Sequence, residues 1–186
     1  MPLVAAPLAL PGLLRAAGGD ARSVTDAADP LDAAQPAQPA QPAQPALRFT
    51  RLERPKAEWR RLLSESEYEV LFEEDTERPG SSPLDREKRA GTFVCAACYL
   101  PLFESAAKFD SGTGWPSFFR PIAGRVATKR DFKLLFPRTE YHCARCGGHQ
   151  GHIFDDGPPP TGLRYCNNGV ALRFVPQGTA LPTLRS

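Results

Sequence analysis

The chain has 186 residues, a formal charge of +2, 41% hydrophobic residues and 20 prolines. Arg15 and Arg22 against Asp20, Asp26, Asp29 and Asp32 leave residues 1–46 at −2, so residues 47–186 carry +4 without any basic block. So dispersed a charge excludes the concentrated footprint of a nucleic-acid binder, and about 140 residues suffice for one modest core.

The chain opens on "MPLVAAPLALPGLLRAAGGDA", an apolar run followed by small residues, as in the h-region of a signal peptide. No Lys or Arg precedes that run, and it is too short and Pro-broken to span a bilayer. It reads either as a disordered extension or as a secretion signal shortened at its start, which leaves cytoplasm and export both open. "AAQPAQPAQPAQPA" follows. Proline at every third position removes backbone donors and favours extended polyproline II, so this tract is a semi-rigid spacer. The expected organisation is a disordered extension over 1–46, a folded domain over 47–178 and a C-terminal tail over 179–186.

"RPKAEWRRLLSESEYEVLFEED" predicts two short helices. Pro55 suits a first helical position, and Trp59, Leu62 and Leu63 share a face. Ser64 and Glu67 fit a capping box for a second helix whose apolar side is Tyr68, Leu71 and Phe72. "TERPGSSPLDREKRAG" is a charged loop. Beyond it, "GTFVCAACYLPLF", "GRVATKRDFKLLF", "TEYHC", "GHIFDD" and "NGVALRFV" are short runs rich in β-branched and aromatic residues. In the last, Val170, Leu172 and Phe174 alternate with Ala171, Arg173 and Val175 as in a strand. The fold class is mainly β and antiparallel, with short N-terminal helices.

Cys95-Ala-Ala-Cys98 and Cys143-Ala-Arg-Cys146 are two C-x-x-C pairs separated by 44 residues. Two sulfurs at that spacing take adjacent corners of a tetrahedron, and two pairs complete the shell of one structural Zn²⁺. Other readings remain: redox dithiols, disulfides in an oxidising compartment, or a local site from Cys143, Cys146, His149 and His152, which recur at three-residue intervals. Glycines at 147, 148 and 151 make the single helical face required by the last costly.

Cys166 is the fifth cysteine. A free Cys usually packs as a small hydrophobe, yet Arg164 and Asn168 lie two residues to either side and share its face in an extended strand. A guanidinium beside a thiol favours the thiolate. His149 and His152 stand in a Gly-rich stretch able to approach a ligand. Trp115, between Gly114 and Pro116, is either a core plug or the wall of an apolar pocket.

Taken together, "TERPGSSPLD", "GTFVCAACYLPLF", "KFDSGTGWPSF", "CARCGGHQGHIFDDGP" and "TGLRYCNNGVALRF" resemble the landmarks of the B-type methionine sulfoxide reductases over about residues 50–176. The resemblance implies two packed antiparallel sheets and structural zinc on Cys95, Cys98, Cys143 and Cys146. It implies Cys166 as nucleophile, with His149, His152, Asn168 and Arg164 in the catalytic set. Trp115, with Phe154, would bind the substrate methyl group. Substrates would be proteins carrying methionine-R-sulfoxide, and the enzyme is expected to be a monomer without a transmembrane segment.

Two positions depart from the pattern. Many relatives carry a resolving cysteine where this chain has Thr113, so an external thiol such as thioredoxin is expected to attack the oxidised Cys166. Relatives usually carry Ile or Val where this chain has Asn167, which predicts a more solvated strand face. The alternative to a reductase is a non-catalytic zinc-ribbon module with an inert Cys166. A zinc hydrolase would need the open metal position that four cysteines do not leave.

Overall fold

The computed structural model describes residues 48–132 and 137–186. The signal-like run and the Ala-Gln-Pro spacer lie outside the described residues. Helix α1 spans Lys56–Leu62, with Pro55 one position earlier than expected, at the cap, where its carbonyl accepts from Glu58 and Trp59. Helix α2 spans Glu65–Glu73 behind the capping box: Ser64 Oγ accepts from Glu67 N, and Glu67 Oε2 accepts from Ser64 N at 2.9 Å. Trp59, Leu63, Tyr68, Val70 and Leu71 are buried, and Phe72 stacks on Trp59 at 5.0 Å. Leu62, expected inside, is exposed. With α1 ending there, the extended backbone of Leu63 turns the next side chain inward instead.

The β part forms two wholly antiparallel sheets. Strands β1 (Gly91–Cys95), β2 (Pro101–Glu104) and β9 (Leu172–Pro176) make a three-stranded sheet in the order β2-β1-β9. Six strands make the second: β3 (Lys108–Phe109), β4 (Ser117–Phe118), β5 (Val126–Asp131), β6 (Arg138–Cys143), β7 (His149–Phe154) and β8 (Arg164–Asn167). Their order is β3-β4-β8-β7-β6-β5. Aromatic rings join the layers. Phe103 of β2 stacks on Phe118 of β4 at 4.2 Å and meets Tyr141 of β6 and Tyr165 of β8 edge-on, while Phe93 of β1 packs edge-on to Phe118. Such pairs bury large apolar area and fix how the sheets sit. Val170 lies in a 3₁₀ turn over Gly169–Ala171, so the alternating pattern read from Val170 begins as strand only at Leu172.

The C-terminal residues dock on the metal side: Arg185 N donates to Cys98 O at 3.2 Å, and Arg145 Nη1 donates to Arg185 O at 2.7 Å. Among the described residues, no helix is long and apolar enough to cross a membrane.

Candidate metal centre and active site

Each C-x-x-C pair sits where a strand ends in a tight turn, and the two turns are built alike. Tyr99 N donates to Cys95 O and Gly147 N to Cys143 O, both at 2.9 Å. Cys95 N and Cys143 N donate to Leu100 O and Gly148 O, again at 2.9 Å. The turn needs a positive φ at its fifth position: Gly147 takes 74° freely, while Tyr99 takes 63° against its own Cβ. The four sulfurs all lie within 4.8 Å of one another, with Cys95–Cys146 at 3.7 Å and Cys98–Cys143 at 3.5 Å. Zinc–sulfur bonds of about 2.3 Å put tetrahedral sulfurs about 3.8 Å apart, so the donor set fits such an ion. Hydrogen bonding to Cys143, and burial too, push Cys95 and Cys146 well up, while hydrogen bonds with the other three sulfurs push Cys98 down. The histidines of the local Cys₂His₂ reading take no part in this cluster.

Those histidines belong to the six-stranded sheet. Three residues apart on a regular strand, His149 and His152 would face opposite ways. A bulge intervenes: Tyr141 pairs with Gly151, but His142 pairs with His149, so β7 carries one extra residue there. The two rings come within 5.4 Å of each other. Gly151 is forced by its neighbour, because a Cβ there would lie 1.9 Å from the Cys166 carbonyl oxygen.

Register then assembles the site. Cys166 on β8 pairs with His152 on β7 and with Ser117 on β4, while Arg164 pairs with Phe154. Directly opposed residues share a face, so Cys166, His152, Arg164, Phe154 and Ser117 stand together. Cys166 is half-buried. Burial pushes its thiol up, and the Arg164 charge with hydrogen bonding from Thr113 and Arg164 recovers only part of that. The expected net lowering by Arg164 is not found because burial outweighs it; that guanidinium is also bound to Asp156, at 2.7 and 2.8 Å, and stacked over Phe154 at 4.3 Å. His152 Nε2 lies 2.8 Å from Asp131 Oδ2, and Arg138 donates to the same oxygen at 2.7 Å. Burial pushes the imidazole down, against the pull of Asp131. His149 is buried, with Nδ1 3.1 Å from Glu140 Oε1 but off line for a hydrogen bond, and with no partner for Nε2 among the described residues.

Asn168 does not continue the strand. Its amide nitrogen donates to Gln150 O at 3.1 Å and its oxygen accepts from Glu77 N at 3.1 Å, so it ties the loop at Glu77 to β7. Trp115, half-buried just before β4, donates from Nε1 to Glu77 O at 3.1 Å. The Glu77 carboxylate accepts from Gly169 N and Val170 N at 2.5 and 2.9 Å, and burial raises its pKa. Sequence reasoning missed Glu77, Asp131 and Glu140. Only the motif around Glu77 carried a signal, as part of a charged loop; the two acids on β5 and β6 become visible once register pairs β5 with β6 and β6 with β7.

Asn167 corrects an expectation. It is fully buried rather than on a solvated face, accepting from Tyr141 Oη at 2.7 Å and donating to Asn168 O at 2.7 Å. The buried tyrosine hydroxyl supplies the polar partner that a polar residue needs there.

A family model described as the SelR domain matches residues 63–176. A peptide methionine sulfoxide reductase MsrB of Bradyrhizobium diazoefficiens is 54% identical over 121 residues, 64% of this chain and 87% of that protein. One of Pseudomonas putida is 49% identical over 131 residues, 70% of this chain and 98% of that one. A crystal structure of the Mis18 "Yippee-like" domain covers 49% of this chain and 100% of its own at 19% identity and TM-score 0.38, too distant to argue from.

Proposed function

Since the chain belongs to the SelR-domain family of peptide methionine sulfoxide reductases, we propose that it reduces the R epimer of protein-bound methionine sulfoxide, with Cys166 as the nucleophile. The supporting observation is the pairing of Cys166 with His152 across β8 and β7, while the other four cysteines are gathered in a separate cluster. A sulfoxide sulfur is a poor electrophile until its oxygen takes a proton. The site therefore needs a thiolate and an acid together. The free protein holds the opposite forms, with the thiol pushed up and the imidazole pushed down. A proton passing from Cys166 to His152 creates both reactive partners without changing the net proton count.

The thiolate then bonds to the sulfoxide sulfur while the imidazolium protonates the oxygen. The hydroxyl passes to the Cys166 sulfur as that sulfur–sulfur bond breaks, its electron pair staying on the methionine sulfur. Oxygen ends on Cys166 as a sulfenic acid, and the methionine leaves as thioether. Trp115, anchored through Glu77, is the apolar wall for the methyl group. His149 is a second polar group beside His152, and Arg164 and Asn168 hold the strand and loop in place. The metal is zinc, which in a four-thiolate shell supplies rigidity and no chemistry at the substrate.

The chain has five cysteines. With four on zinc, an external thiol such as thioredoxin must attack the sulfenic acid, releasing water and leaving a mixed disulfide that a second thiol reduces. Turnover of stereochemically defined R- and S-sulfoxides with dithiothreitol tests the reading: R-specific turnover is expected, lost in Cys166→Ser. Wild-type protein inert toward the R form refutes it. An internal disulfide on oxidised Cys166 refutes the external resolution.

A further inference from the structure

The bulge in β7 adds one residue, and that residue is Gln150. Gly151 pairs with Tyr141 and His149 with His142, so Gln150 stands opposite no residue of β6. Its carbonyl instead accepts from Asn168 N at 2.8 Å and Asn168 Nδ2 at 3.1 Å. Its side chain is fully buried, with Nε2 donating to Cys95 Sγ at 3.7 Å and to Gly148 O at 3.4 Å. One residue thus holds a sulfur of the metal cluster by its side chain and the loop beyond Cys166 by its main chain.

The amide can face only one way. A metal-bound thiolate and a carbonyl both accept, and an amide nitrogen brings two protons, one for each. Turned over, Gln150 would set its oxygen against two acceptors. In the orientation found, Oε1 has no partner among the described residues. Donation to a charged sulfur, the stronger class of hydrogen bond, offsets that loss. Filling the metal shell makes Cys95 that charged acceptor. The metal therefore strengthens the contact that fixes the extra residue of the bulge.

We propose that Gln150 is a positioning residue through which the metal shell sets the register of β7. The bulge brings the His149 and His152 rings within 5.4 Å of each other. The Gln150 carbonyl anchors Asn168, two residues beyond Cys166. Holding the bulge from the metal side thus holds both imidazoles and the loop in place without touching substrate. Outer donors to a metal's ligands act in this way, orienting the ligand and tuning its donor strength. This role rests on the four-cysteine zinc site and is independent of which group attacks the sulfoxide.

Gln150→Met keeps the bulk and removes the donor. In the full-length protein its zinc affinity, measured by competition with a chelator, should fall about tenfold or more. With Co²⁺ in place of zinc, the sulfur-to-metal charge-transfer band should move to longer wavelength, because the sulfur loses a stabilising proton. Exchange of the Asn168 amide hydrogen, followed by nuclear magnetic resonance, should quicken several-fold in the zinc-loaded variant. An unchanged affinity, an unmoved band or an unaltered Asn168 exchange each overturns the coupling. Should Gln150→Met not fold, the wild-type protein loaded with ¹¹³Cd decides. Its Gln150 side-chain amide should show scalar coupling to the metal through Cys95 Sγ, and an uncoupled amide overturns the contact. Wild type that binds no metal overturns the zinc site itself, a separate failure.

Discussion

The five cysteine sulfurs of the chain occupy two kinds of surroundings. At the metal end, four lie within 4.8 Å of one another, held by two turns of the same build, with no solvent-facing donor among them except half-buried Cys146. At the other end Cys166 is alone, half-buried, and ringed by an imidazole, a guanidinium and hydroxyls. The first arrangement places every sulfur where one cation could take all four, which would leave none to react. The second leaves one sulfur outside the cluster and sets titratable and hydrogen-bonding groups beside it. On the proposed reading, reactivity is decided by neighbours rather than by residue type.

The comparison breaks if the two ends are interchangeable. Cys166→Ser should lower turnover by more than about a thousandfold while leaving metal content and melting temperature unchanged. Cys95→Ser should lose the metal and destabilise the fold by more than about 4 kcal/mol, since metal binding here is part of folding. Metal analysis and thermal melts of both variants check the pair. Stoichiometric zinc retained without Cys95 would show that the sulfurs at this end are not one site.

How much of this contrast was legible beforehand follows from what sets each end. The metal ligands are local in sequence, two sulfurs per turn, so C-x-x-C spacing declares them. The capping box of α2 was equally plain, being a contact between residues three apart. The approach of His149 to His152 was not, because it depends on a bulge whose extra residue is visible only against β6. Asp131 was hidden for the same reason. It lies 21 residues from His152 and meets it through β5–β6–β7 registry.

Asp131 sharpens the Cys166 end. Burial depresses the His152 imidazole and Asp131 opposes that. Asp131→Asn should depress it further, moving the acid limb of the kcat/KM profile to lower pH and reducing the rate at neutral pH by about ten- to a hundredfold. A merely structural role would lower the plateau without moving the limb. The same depression has a sign in stability. The unfolded chain binds the proton more readily, so the neutral His152 contributes above its unfolded value of about 6.5, and that contribution is lost as pH falls through the lower folded value. Urea midpoints should therefore drop on acidification through this window, and less so in His152→Gln.

Asn167 gives the smallest effect and the finest test of how the layers meet behind Cys166. Its amide is the acceptor for Tyr141, whose hydroxyl is sealed between the sheets. Asn167→Val removes that acceptor and leaves a buried donor unpaired, at a cost of about 1–3 kcal/mol. Tyr141→Phe alone leaves the Asn167 oxygen unpaired, at a similar cost. The double variant removes both groups and should recover most of the loss, because an apolar pair of matching shape has nothing left to satisfy. Additive losses in that cycle, measured by denaturant unfolding, would mean that Tyr141 and Asn167 are not each other's partners. Such a result would also remove the reason why a polar residue is tolerated one position beyond Cys166.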